Sequence, residues 1–449
     1  MVHPAAMSDR PRSLQFDFYL LQGSLVILPY ASYVGLAGLV GLIFSLLIKF
    51  KRTALDPVTR NGLLLLTGLL LLSCGFANNR AEAFLQLANF LPFFLLFAVV
   101  PFVLSTTERL AQLAWVLVIS TVPINAIAFV EYLLRTSSLP RSIRRIPLIR
   151  WVRDRPHSGR AIVMFNHPNA LASYLVLILG LGLGVLFYCA RQPSQALRQP
   201  SSHFKFSLKP RAVLLLHLAT YANLLGIFCS GSRNGLIVAI LQLLVFAVLW
   251  ARLVQSARSM WWISLAGIGS ILVSTAWLGI GGRSLSLTAW ANDARLRLWA
   301  VSLDLLRDRP WFGWGLGNYK FQFADRLLEL YPTCEAVRTN PVVPVECADV
   351  THPHNFWLML ATEAGLFVAI GFVAWVGYIC VQAVISRLTK PSTALDAIFI
   401  GYLLAFAGCV AFACFDVTLY DGRVNALNWV ILAGIYATGG DETERKKEG

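Results

Sequence analysis

The chain has 449 residues, 57% hydrophobic and 14% charged, with a mean hydropathy of +0.64. Soluble domains carry about 25% charged residues, so a soluble enzyme is excluded and the chain reads as an integral membrane protein. The formal net charge of +15 does not point to nucleic acid, because a bilayer divides the basic residues between its two sides.

A spanning helix needs roughly 20 apolar residues. Windows of that kind occur at 16–31, 33–50, 61–77, 83–104, 110–134, 168–188, 212–231, 233–252, 260–280, 355–386, 395–415 and 423–438. They predict an all-α polytopic protein of about twelve spans, forming a single integral membrane domain over 1–449. The start lacks the short apolar core and small-residue cleavage site of a signal peptide, so none is expected. Lys and Arg in short loops set orientation. Lys49, Lys51, Arg52, Arg60, Arg109, Arg191, Lys209, Arg252 and Arg387 fall in one set of connections, which is assigned to the cytoplasm. The opposite short connections hold only Arg80, Arg233 and Arg423. An even helix count places both termini in the cytoplasm.

Two long segments then face outward, at 135–167 and 281–354. The first carries eight arginines against one acid, Asp154. Outward basic residues are not explained by topology. Arginine presents a planar fork of donors that matches phosphate oxygens, so the segment reads either as a phosphate cradle or as a basic loop on anionic headgroups. Arg160 closes this run. The second segment is too long for a bare connection. In "NDARLRLWAVSLDLLRDRP" (292–310), Leu296, Trp299, Ala300, Leu303 and Leu306 recur at helical spacing after cap-type residues, and Pro310 ends the run. A glycine-rich aromatic turn, "WFGWGLGNYKF", leads to a second amphipathic stretch, "FADRLLELY". These helices either lie on the membrane surface or pack as a small exterior subdomain. Cys334 and Cys347 share the same loop and pair if that side is oxidising.

The chemistry gathers near the outward face. "CSGSRNG" (229–235) joins two spans, and an unpaired Arg233 at membrane level would cost at least about 2.5 kcal/mol. The arginine is therefore either functional or snorkelling to the interface. "FNHPNALASYL" (165–175) puts Asn166, His167 and Asn169 at a helix start, where they bind an anion or simply cap the helix. "VTHPHNFWLMLATEAGL" (350–366) places His352 and His354 ahead of an apolar run, with Asn355 as its cap. A neutral imidazole can take a proton from a hydroxyl. No Asp-x-Asp pair, zinc-type Cys/His spacing or phosphate-cradling GxxxxGK[ST] loop is present, so no metal and no cofactor are expected. Energy must then come from an activated donor.

These stretches resemble the O-antigen ligase and polymerase superfamily of bacterial envelope enzymes. The likeness runs over 229–235, over 295–317 ("RLRLW…PWFGWGLG") and over 352–366, more loosely over 165–175, and topology extends it along the chain. The family motif is His, then Asn, Ser or Gln, nine residues, Gly, two residues, then Gly, Thr or Tyr. His354, Asn355 and Gly365 match at that spacing, and Val368 departs at the last position. The resemblance implies an inner-membrane, metal-independent, inverting glycosyltransferase of the GT-C type with a large periplasmic loop. Its donor would be a polysaccharide on undecaprenyl diphosphate, and its acceptor a sugar hydroxyl of lipid A–core. By position, Arg233 and Arg295 correspond to arginines that bind the diphosphate, and His354 to the essential histidine, which deprotonates or orients the acceptor. Arg160, Asn169, His352 and Asn355 complete the candidate set around the substrates. A polymerase would use the same donor. A lipid-linked oligosaccharide flippase would need polar residues along the mid-bilayer, and the spans hold few.

Overall fold

The computed structural model describes residues 10–134, 159–195, 208–253, 262, 265–270, 273, 294–338, 347, 350–388 and 394–439. Among them no strand occurs. The first helices are α1 (Arg10–Ile27), α2 (Ser32–Phe50), α3 (Pro57–Gly75), α4 (Arg80–Gln86), α5 (Leu91–Val99), α6 (Thr107–Ser120) and α7 (Val122–Leu133). Then come α8 (Pro168–Gln195), α9 (Pro210–Cys229), α10 (Arg233–Leu253), α11 (Ala294–Asp308), α12 (Tyr319–Leu330) and α13 (Thr333–Arg338). The last four are α14 (Phe356–Ala364), α15 (Leu366–Leu388), α16 (Ala394–Ala413) and α17 (Gly422–Gly439).

Local chemistry sets several helix starts. The Asp56 carboxylate accepts the N–H groups of Val58 and Thr59 at 2.9 and 3.1 Å, and Pro57 supplies the fixed φ of a first helical position. Thr106 caps α6 through the N–H of Arg109, and Asn355 caps α14 through that of Leu358 at 3.0 Å.

Nine stretches of the described residues are long and apolar enough to cross a membrane. They correspond to nine of the twelve expected windows, and the chain is a multi-pass membrane protein. The other three differ for identifiable reasons. The window 16–31 falls on α1, where Asp17 is buried and paired with Lys49 at 2.6 Å and Ser45 at 2.8 Å. The window 423–438 is α17, which carries Arg423, Asn425 and Asn428 and is buried along almost its whole length. A helix enclosed by protein need not be apolar all round. The window 260–280 lies mostly outside the described residues, as does most of the basic segment, with the arginines at 135, 141, 144, 145, 150, 153 and 155.

α8 is the centre of the bundle, its spanning stretch wholly buried. Small residues let α16 lie against it: a Cβ on Gly184 would sit 2.4 Å from the Cα of Gly401. Close backbone approach of this kind is what holds membrane helices together where hydrophobicity offers no preference for protein over lipid.

The expected continuous span over 355–386 is corrected. The chain breaks at Gly365, whose φ is +85°, so α14 is a separate nine-residue helix and the span begins at Leu366. The break admits another backbone: a Cβ on Gly365 would lie 2.1 Å from the carbonyl oxygen of Trp311. Pro310 and Trp311 belong to the glycine-rich turn between α11 and α12. That pair of helices packs as a small subdomain with its own core of Leu298, Val301, Leu305, Tyr319, Phe323 and Leu327. Arg326 ties the two together through Asp304 at 2.7 Å and Asp308. A disulfide joins Cys334 to Cys347 with the Cα atoms 5.3 Å apart, as the shared loop predicted. We refer to α11–α13 as the lid.

Alanine at Gly365 must adopt φ +85° with ψ 167°, a region essentially reserved for glycine, at about 1–3 kcal/mol, and also displace the Trp311 carbonyl. Gly365→Ala should lower the melting temperature of the detergent-purified protein by several degrees. Gly377→Ala, mid-helix with nothing within 4 Å of the new Cβ, should be neutral or stabilising. Equal melting temperatures for the two variants would contradict the break.

Candidate active site

Three segments that are far apart in sequence meet at the lid end of the bundle. They are 159–169 at the start of α8, 350–355 before α14 and 414–421 before α17. The first is pinned from several sides. Buried Glu131 of α7 accepts the N–H groups of Ile162 and Val163, both at 2.8 Å, while Ala161 donates to the carbonyl of Cys229 at 2.9 Å. Arg423 donates to the Met164 carbonyl at 2.6 Å, lies over the Phe165 ring at 4.2 Å and pairs with Asp421. Thr418 donates to the hydroxyl of Ser173 at 2.9 Å. These bonds fix 416–423 against the start of α8.

A chain of polar contacts runs through the junction. The Arg160 Nε donates to the Ser230 carbonyl at 2.9 Å, and its Nη2 donates to Asn169 Oδ1 at 2.7 Å. The Asn169 amide nitrogen donates to Asp416 Oδ2. The other carboxylate oxygen, Oδ1, lies 3.1 Å from His354 Nδ1 and also accepts the Val417 N–H at 2.8 Å. His354 itself has φ +52°, unusual for a residue with a side chain. Its backbone N–H donates to His352 Nδ1 at 3.3 Å, and the two imidazoles stand edge to face at 4.4 Å. A strained backbone held by several bonds is common where a side chain must point one way.

The charges are ordered by these contacts. Burial alone would raise Asp416, but the His354 hydrogen bond, the nearby imidazoles and the Val417 N–H outweigh it and hold the carboxyl well below its usual range. An ionised carboxylate only accepts, so the hydrogen between it and His354 sits on Nδ1. In the neutral form of His354, Nε2 is then the bare nitrogen. Burial pushes His352 down to about 4; His354 and Arg295 act in the same sense, and Asp416 opposes them. His352 is therefore neutral across the physiological range.

The structure brings together His354, His352, Asn169 and Arg160, and places Arg295 near enough for its charge to act on His352. Asn355 stands beside them, but its side-chain oxygen is engaged in capping α14. Arg160 is buried, and the bonds above direct its guanidinium to Ser230 and Asn169. Arg233 opens α10, three residues past Ser230 in the same turn. Arg297 points elsewhere in the lid, as its two-residue offset from Arg295 requires, with its guanidinium 4.6 Å over the Tyr331 ring.

Asp416 is the residue that sequence reasoning missed. The available signal was a carboxylate in "CFDVTLYDG", in the short connection between two apolar windows, with nothing in its own neighbourhood to mark it. Its partner lies 62 residues earlier, beyond any local motif. For the same reason motif spacing could not anticipate that His352, His354 and Asp416 have ligand atoms within 4.8 Å of one another, a set that could hold a metal ion. His352 Nδ1 and His354 Nδ1 already serve hydrogen bonds within the cluster.

Residues 218–373, from within α9 to within α15, match the family model described as O-antigen ligase. This segment belongs to the O-antigen ligase family. It contains Arg233, Arg295, His352, His354 and Asn355, whereas Arg160, Asn169 and Asp416 lie outside it. No curated protein matches the chain. The family supports ligase- or polymerase-type activity for this membrane protein, with lipid-linked polysaccharide and lipid A–core as the substrates it implies.

Asp416→Asn keeps the shape but can donate to His354 Nδ1, favouring the wrong tautomer. Turnover should fall about 10²–10⁴-fold, the range of a general base, with the melting temperature nearly unchanged. His352→Gln should leave the pH–rate profile between pH 6 and 9 in place, because His352 already titrates near 4. A shifted acidic limb in that variant would make His352 the titrating group instead.

Proposed function

We propose that this protein is an O-antigen ligase of the bacterial inner membrane, with both termini cytoplasmic and the lid facing the periplasm. The donor is polysaccharide on undecaprenyl diphosphate, and the acceptor is a sugar hydroxyl of lipid A–core. The observation that carries the reading is the contact between His354 Nδ1 and Asp416 Oδ1 at 3.1 Å, beside a segment of the ligase family.

In this reading His354 Nε2 takes the proton of the acceptor hydroxyl. The freed oxygen attacks the anomeric carbon of the donor, a new glycosidic C–O bond forms, and the bond to the diphosphate breaks. Attack opposite the leaving group inverts the anomeric centre. Undecaprenyl diphosphate departs carrying the negative charge, and Arg295 and Arg233 stabilise it as it develops. Fixed charge aimed at a leaving group is usually the largest electrostatic contribution to catalysis. Asp416 holds the imidazole in its acceptor tautomer and stabilises it once protonated. Arg160 and Asn169 hold Asp416. The chemistry asks for no metal, although the histidine and aspartate cluster has the spacing for one. The fold is assigned to the GT-C type on family grounds.

A polymerase would use the same donor, so the acceptor decides. A polymerase needs a second, similar diphosphate site, whereas the two outward segments here are unlike. One has eight arginines and one acid over 135–167; the other is balanced, with eight bases and eight acids over 281–354. The first suits the many phosphates of lipid A–core.

Reconstitution of the purified protein with lipid-linked polymer and lipid A–core tests the reading. Wild type should produce ladder-bearing lipopolysaccharide and His354→Ala should lose about 10²–10⁴-fold. Arg295→Lys should lose most activity despite keeping its charge, because a point charge cannot replace the guanidinium fork. EDTA should have no effect; inhibition that magnesium reverses would make the cluster a metal site. In cells, loss of the gene should leave lipid A–core bare while long lipid-linked polymer accumulates. Core capped by one repeat unit would assign the polymerase reaction instead.

A further inference from the structure

Glu363 takes no part in the transfer described above, yet its side chain is completely buried in α14, nine residues after His354. Burying a carboxylate is expensive unless donors surround it. Here they do. Oε1 accepts the N–H of Tyr319 at 3.1 Å, the N–H of Gly317 also points to the carboxylate, and Oε2 lies 3.4 Å from the Tyr420 hydroxyl. The main chain repeats the attachment: the carbonyl of Glu363 accepts from Gly315 at 2.7 Å, and that of Thr362 from Trp314 at 3.1 Å.

The glycine-rich turn is shaped to reach this position. Gly313, Gly315 and Gly317 all have positive φ, and a Cβ on each would collide with a different neighbour. Those neighbours are the Glu363 carbonyl at 2.3 Å, the Ala77 side chain at 2.1 Å and Gln86 at 2.7 Å. From the turn, contacts continue into the lid. Tyr319 Oη meets Ser302 Oγ at 2.9 Å on α11, the helix that bears Arg295 seven residues earlier. On the other side, Tyr420 lies four residues after Asp416 in the short segment before α17.

We propose that Glu363 is a positioning residue for the transfer: its carboxylate bolts the lid to α14 and the 416–420 segment, fixing Arg295 relative to the His354–Asp416 pair. The inference rests on the ligase reading for its kinetic consequence but not for the bolt itself. The carboxylate acts through acceptance. Glutamine retains one acceptor for the two N–H groups and an amide N–H₂ for the Tyr420 hydroxyl, so Glu363→Gln should keep the lid docked. Glu363→Met fills the volume and accepts nothing.

Amide hydrogen exchange of the full-length protein in detergent reads the bolt directly. In wild type, the amides of Gly317 and Tyr319 should be among the most protected of 309–330. In Glu363→Met they should exchange at least tenfold faster while α8 is unchanged, and in Glu363→Gln they should stay within threefold of wild type. In the reconstituted assay, KM for the lipid-diphosphate donor should rise tenfold or more in Glu363→Met with a smaller change in kcat, and Glu363→Gln should restore it. Unprotected amides in wild type, or Glu363→Met indistinguishable from wild type, would overturn the proposal. So would Glu363→Gln failing as badly as Glu363→Met, which would make charge rather than hydrogen bonding the requirement. If no transfer occurs even in wild type, the ligase reading falls while the exchange result still decides the bolt.

Discussion

The contact between the Asp416 carboxylate and His354 is the interaction on which the site depends. It links segments 62 residues apart and sets what each can do. The ionised carboxylate, held by the Asn169 amide and the Val417 N–H, leaves His354 one way to carry its hydrogen. The other ring nitrogen is thereby directed away from Asp416. Arg160, which reads in the sequence as a phosphate ligand, works in the structure through Asn169 on that carboxylate. Partners of this kind, one contact removed, orient the groups that touch the reacting atoms.

Holding this contact requires three connections between helices to stay fixed, although connections are ordinarily the most mobile part of a bundle. The fold fixes them with buried polar groups. Glu131 and Arg423 clamp the segment before α8, and the left-handed turn at His354 is stabilised by His352. Buried polar groups of this kind are worth their desolvation only when every donor finds an acceptor. The helix break at Gly365 serves the same end, since it lets the glycine-rich turn bond to the backbone of α14 and seats the lid beside the histidines.

Much of this was legible in the sequence, for local reasons. Nine spans follow from runs of apolar residues, and α11 and α12 from their periodicity. The cap at Asn355 and the Cys334–Cys347 pair follow from residue type and placement. His354 stood out because a polar aromatic base precedes an apolar run. What escaped was non-local. Asp416 is an ordinary acid in its own neighbourhood and acquires meaning only when α16 returns it to α14. Gly365 sits in an apolar run that reads as continuous, and only the approach of Trp311 explains its positive φ. α17 fails a hydropathy test because it is enclosed by protein, a circumstance composition cannot report. Glu363 lies inside an apolar window, and its role emerges only with the N–H groups of Gly317 and Tyr319 from a turn more than forty residues earlier.

The tautomer of His354 tests the account most directly. Histidine labelled with ¹⁵N, assigned by comparison with His354→Gln, gives the protonation of each ring nitrogen in the purified protein near neutral pH. The arrangement predicts a hydrogen on Nδ1, directed at Asp416, and a bare Nε2. A bare Nδ1 with the hydrogen on Nε2 would mean that Asp416 does not orient the imidazole, and that His354 cannot be the base from this position.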